Sequence, residues 1–178
     1  MKKTIIILMG VILMAACGHK VNREEQIQKI EEMEQSFEND ILNQSADEES
    51  TLQMLSLYRG FYNNFPDDSL APVYMQRAAD FCITTGHANT AIELLDSVVA
   101  LYPGFEDLGG CWFLKGYAYE AMENYDSARV AYTYFVDNYP DHYLASDTRM
   151  MLNYLGLSPE EMFDAMMAAA TDKDLVQN

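Results

Sequence analysis

Three aromatic–proline pairs, Phe65-Pro66, Tyr102-Pro103 and Tyr139-Pro140, recur at a fixed interval of 37 residues. A period in this range marks a chain built from repeated helix pairs that stack on one another. Written in that register, the apolar residues fall into columns. Met54, Ala91 and Ala128 share one, Tyr58, Leu95 and Tyr132 a second, and Phe61, Val98 and Phe135 a third. Apolar residues at helical spacing, each run ended by a proline that lacks a backbone donor, predict an all-α solenoid of about eight helices.

The joints set the element boundaries. A first helix spans Glu24 to Leu42, with a narrow stripe of Ile27, Ile30, Phe37 and Ile41 and Met33 at its margin. A coiled-coil seam is the other reading of that stripe, weakened by its short length and by Glu34 on it. Ser45-Ala46-Asp47-Glu48 matches a capping box and opens a helix to Asn64. Asp68-Ser69 caps a helix from Leu70 to Thr84, with Pro72 tolerated in its first turn. Further helices are expected over Asn89–Leu101, Gly110–Met122, Tyr125–Asn138 and Tyr143–Leu155, with Leu144, Met151, Leu152 and Leu155 inward. Ser158-Pro159-Glu160-Glu161 starts the last helix, to about Thr171. Its Met162, Phe163, Met166 and Met167 are expected to cover the open end of the core, as terminal solenoid helices do.

The N-terminus reads as an address. Met1-Lys2-Lys3 is a positive n-region, and Thr4 to Met14 is apolar but too short for the ~20 residues of a spanning helix. Leu13-Met14-Ala15-Ala16-Cys17 is similar to the bacterial lipobox, with Met14 where leucine is commonest. That resemblance implies a signal peptide over 1–16, acylation of Cys17, and a lipidated N-terminus and tether over 17–23 before a repeat domain at 24–178. An ordinary signal peptide cut after Ala16, leaving Cys17 free, is the alternative. Gly18 follows, not the aspartate that retains such proteins at the inner membrane. The resemblance therefore implies an outer-membrane lipoprotein facing the periplasm, with the leaflet left open by the residues themselves.

Residues 111–140 resemble the tetratricopeptide repeat. Trp112, Gly116 and Tyr119 on one helix, then Ala128, Tyr132 and Pro140 on and after the next, stand at that family's spacing. Lys115 and Phe135 depart from it, where leucine and a small residue are usual. The preceding unit keeps Ala79, Ala91, Leu95 and Pro103, with Met75 and Cys82 in place of two aromatics, and Pro66 marks the joint before it. The resemblance implies a right-handed solenoid in which Gly116 and Ala128 let the helices cross closely. It also implies a concave, partner-binding groove lined by Gln76, Asp80, Ile83, Phe113, Tyr117, Glu120, Met150 and Tyr154. That groove lacks the lysine and arginine clamp by which some members hold a C-terminal carboxylate, so a partner with apolar or basic groups is expected.

Chemistry is sparse elsewhere. The net charge is −17, or −19 without residues 1–16, and such a surface repels phosphate backbones, which argues against nucleic acid. His19, His87 and His142 stand apart without ligand-spaced partners, so neither a metal nor another cofactor is expected. No phosphate loop or nucleophile elbow is present, and paired acids such as Glu48-Glu49 read as helix-start charges, so no catalytic residue is assigned. Cys82 and Cys111 fall at different heights in the repeat and read as two buried free thiols rather than a disulfide. Most of the twelve methionines are expected to fill the core. Two functions remain. One is a membrane-anchored scaffold that binds a peptide segment or helical domain of other envelope proteins. For that role the chain resembles the repeat lipoproteins of the outer-membrane β-barrel assembly machine and the periplasmic protein of the Tol–Pal system. The other is an accessory subunit that binds a glycan or other small ligand for a cell-wall enzyme.

Overall fold

The computed structural model describes residues 21–42 and 48–176. Among these residues eight helices follow in order: α1 (Arg23–Leu42), α2 (Glu48–Asn64), α3 (Ala71–Thr84), α4 (Ala88–Leu101), α5 (Leu108–Ala121), α6 (Tyr125–Asn138), α7 (Ala145–Leu152) and α8 (Pro159–Val176). No strand occurs among the described residues. The signal segment, Cys17, Ser45 to Asp47 and the side chain of Ile41 lie outside them.

The columns read from the sequence are the core. All nine residues in them are at most 5% exposed. α2, α4 and α6 end at Asn64, Leu101 and Asn138, each one residue before its aromatic–proline pair. Tyr102 and Tyr139 leave the helical region at ψ of 60° and 55°, as a following proline requires. The Tyr102 hydroxyl then donates to the Pro66 carbonyl at 2.8 Å, so one joint is tied to the previous one. The tight turns between paired helices repeat as well. Gly86 and Glu123, one period apart, both take left-handed backbone, with φ of +80° and +57°. Glycine does so freely, whereas glutamate carries roughly 1–2 kcal/mol of strain.

Each helix packs on the next as far as α7, and α3 also touches α5, so first helices stack on first helices. The cores therefore cross hairpin boundaries. Ile30 of α1, Met54, Tyr58 and Phe61 of α2 and Tyr74 of α3 form one cluster. Met75 and Ala79 of α3, Leu95 and Val98 of α4 and Cys111 of α5 form the next. A fully buried aromatic removes ~150–250 Å² from water, at most about 4–6 kcal/mol by area. Phe61, Tyr132 and Phe135 are all fully buried.

Several expectations need correction. α1 begins at Arg23, one residue before the expected Glu24, and Asn22 caps the Glu24 amide at 3.0 Å. The Arg23 guanidinium grips both carboxylate oxygens of Asp68. That hydrogen bond holds the Asp68 carboxyl below its ordinary range. Glu34, no misfit on its stripe, accepts from the Tyr58 hydroxyl at 2.7 Å and from Arg77 at 2.5 Å, joining α1, α2 and α3.

At the other end α7 is short, and α8 packs against none of the other described helices. The open end of the core is covered instead by the turn after α7. Leu155 is buried against Ala128 and Tyr132 with Leu152 beside it, and Arg129 donates to the Leu152 and Leu155 carbonyls at 2.8 and 3.2 Å. Gly156 (φ +82°) lets the chain turn under the Tyr125 ring. Met162, Phe163, Met166 and Met167 are accordingly exposed, as are Met150 and Met151. Among the described residues, methionine fills the core at Met54 and Met75, with Met33 and Met122 at its edge. α8 does begin at the expected start, and Ser158 forms a capping box there, in which its N–H donates to Glu161 at 2.8 Å and Glu161 N–H donates back to the Ser158 hydroxyl at 3.3 Å.

Candidate functional site

The stacked first helices α3 and α5, with the turn into α7, enclose a small pocket of 240 Å³. Asp107 organises it. As N-cap of α5, it accepts from the Gly110 amide at 3.0 Å. Its second oxygen accepts from Gln76 Nε2 of α3 at 2.8 Å, and His142 Nε2 lies 3.1 Å from its first. His142 Nδ1 accepts from the Leu144 amide at 3.2 Å, which leaves Nε2 as the donor toward Asp107. The imidazole also stands edge-on to Phe135 and stacks on Tyr143. One carboxylate thus ties the body of α3, the start of α5 and the turn before α7 together.

Around this hub Phe113, Leu114, Tyr143 and Leu144 supply an apolar and aromatic lining. Phe113 is held from behind by the rings of Tyr132 and Phe135, 5.7 and 5.8 Å away. Asp80 stands on the open side with neither a hydrogen-bond nor an ion-pair partner among the described residues. Partial burial by the pocket wall raises its pKa above the ordinary carboxylate value. Arg77 also borders the pocket, but its guanidinium is held by Glu34 and lies over the Tyr74 ring.

Of the eight residues expected to line a groove, the pocket brings together Gln76, Asp80 and Phe113. Tyr117 and Met150 are exposed and Tyr154 is half-buried, all outside this pocket. Ile83 is a correction, since it is 5% exposed and packs in the α3–α4–α5 core. Glu120 is half-buried and accepts from the Tyr132 hydroxyl at 2.8 Å, so it ties α5 to α6. Burial first, then that hydrogen bond, raise the Tyr132 phenol above its ordinary value. His142 is no isolated turn residue, for it has a carboxylate and a backbone partner. The sequence offered one clue to the hub: Asp107 precedes Gly110 by three residues, an N-cap spacing, and α5 starts earlier than the expected Gly110.

The repeat residues take definite places. A Cβ at Gly116 would come within 2.4 Å of the Tyr132 ring, so the close approach is ring against backbone. Ala128 is fully buried beside that ring. Trp112 packs toward Phe135 and lies 4.0 Å from the Tyr134 ring centroid, and Tyr119 borders the Ala128 cluster. Lys115, where leucine is usual, runs its stem inward, with its ammonium 4.2 Å from the Trp112 ring centroid and 2.5 Å from Asp96 of α4. Phe135, where a small residue is usual, fills the space before α7. Pro103 and Pro140 are exposed at the joints, as is Pro66, whose carbonyl accepts from Tyr102. Cys82 and Cys111 are buried and free. Burial raises both thiols, Cys111 to about 12, so they stay protonated at neutral pH.

A tetratricopeptide-repeat family profile matches residues 111–142, which is most of α5, all of α6 and the joint after it. No curated protein and no solved structure matches the chain. Fold and match together define a tetratricopeptide-like helical-repeat solenoid. Repeats of this kind are platforms for binding other proteins.

Proposed function

We propose that the chain is a lipid-anchored adaptor of the bacterial cell envelope, which holds a segment of another envelope protein against its first-helix face. The observation that carries this reading is the face itself. Asp80, Tyr117, Tyr143 and Met150 stand exposed on or beside α3, α5 and α7, while the family match covers the middle of that stack. Exposed aromatic anchors beside fixed polar groups are what a protein-binding surface needs. The anchor follows from Cys17 and the residues before it, and the resemblance to outer-membrane assembly and Tol–Pal repeat proteins makes the periplasmic face of the outer membrane the proposed location. A glycan or other small ligand fits this face less well, because its pocket of 240 Å³ falls below the ~300–1,000 Å³ of small-molecule sites.

The test uses the full chain in intact cells of its own bacterium, with a photoreactive phenylalanine analogue in place of Tyr117. The expected product is a discrete crosslink to one envelope protein, absent when the analogue replaces Tyr125 on α6. Labelled fatty acid should enter the chain and be lost in Cys17→Ser. Equal crosslinking from both positions would overturn the groove, and an unlabelled wild type would overturn the anchor.

A further inference from the structure

We propose that the pocket between α3, α5 and the turn into α7 is an anchor site for a single lysine or arginine side chain of the bound segment. This rests on the reading of the first-helix face as a protein-binding surface, and it names the chemistry that face selects. The pocket has the two parts a long cationic side chain needs. Phe113, Leu114 and Leu144 offer an apolar wall for the stem, and Asp80 offers a carboxylate for the head. Tyr143, 82% exposed and held by stacking on His142, presents a ring beside the entrance, suited to a cation.

Charge decides the occupant. Arg77 is the cation bordering the pocket, and Glu34 holds it 2.5 Å away from its own carboxylate. Asp80 is left without a counter-ion, shifted by burial and by no neighbouring charge. Asp107 carries a second negative charge at the far wall, already engaged by Gln76, Gly110 and His142. It fixes the wall in place and adds to the field without competing for the ligand. The chain as a whole, at −17, draws cationic segments and repels acidic ones. At 240 Å³ the pocket suits one side chain. The polarity is thus the reverse of a lysine and arginine clamp on a carboxylate.

A phage-displayed library of random nonapeptides, selected on the immobilised full chain, tests this. Peptides enriched by the wild type should carry a lysine or arginine beside an apolar residue. Asp80→Asn should lose that enrichment, while Asp137→Asn, an exposed acid on α6, should keep it. For the best peptide, fluorescence anisotropy should give about a tenfold weaker Kd with Asp80→Asn, the scale of one charged hydrogen bond. Replacing its basic residue by glutamine should weaken wild-type binding equally and make Asp80→Asn indistinguishable from it. Enriched peptides that are apolar, lack a basic residue and are weakened by Phe113→Ala would leave the groove standing and overturn the cation anchor. Enrichment of no peptide by the wild type would overturn both.

Discussion

A methyl group at Gly116 would come within 2.4 Å of the Tyr132 ring, and that ring has little freedom to yield. It is fully buried, lies against Phe113 and is tethered through its hydroxyl to Glu120. Gly116→Ala should therefore force α5 and α6 apart and cost roughly 1–3 kcal/mol, read from urea unfolding of the purified chain. Gly104→Ala is the matched comparison, because a Cβ there meets nothing within 4 Å and its backbone is not left-handed. It should leave stability unchanged or raise it by up to about 1 kcal/mol. Equal losses at the two sites would contradict the crossing geometry. Gly116 and Tyr132 were legible as motif positions. Their direct contact was not, because spacing tells which side chains share a face and not which ring meets which backbone.

α7 and α8 differ in the reverse order of their helix starts, for α7 has no side-chain cap and α8 has a capping box. α7 is fastened to α6 in both directions: Arg149 donates to the Val136 carbonyl at 3.1 Å, and Arg129 reaches the carbonyls at and after the end of α7. Ala145 and Thr148 are fully buried in that contact. α8 has a capping box and acids in its first turn, and it packs on none of the other described helices. Deleting residues 158–178 should thus lower the melting temperature by no more than ~2 °C, since surface changes outside packed contacts cost about 0.5 kcal/mol or less. Far-UV circular dichroism should lose helix signal without a shift of the main transition. A large shift would mean that α8 does pack on the solenoid. The periodicity of Met162, Phe163, Met166 and Met167 was visible in the sequence, but an apolar side does not reveal whether a neighbour already covers the core.

Across the whole molecule, each core cluster draws on the next hairpin, so stability is shared along the stack rather than held by units. Against it stands the net charge of −17, with exposed acids on every described helix but α5. Self-repulsion of that size loosens a compact state, and salt screens it. Raising sodium chloride from about 0.01 M to about 1 M shortens the screening length roughly tenfold and should raise the unfolding midpoint. A falling midpoint would show that ion pairs such as Arg23–Asp68 and Lys115–Asp96 outweigh the repulsion. The sequence by itself determined the helices, their joints and the 37-residue register, because apolar periodicity and the missing donor of proline act over a few residues of chain. The tertiary structure decided the site and the termini. Asp107 reaches Gln76 and His142 across 31 and 35 residues, and Leu155 takes the covering place expected of α8. Both outcomes depend on which of several suitable side chains reaches a partner first in three dimensions, a competition among distant groups that no local pattern records.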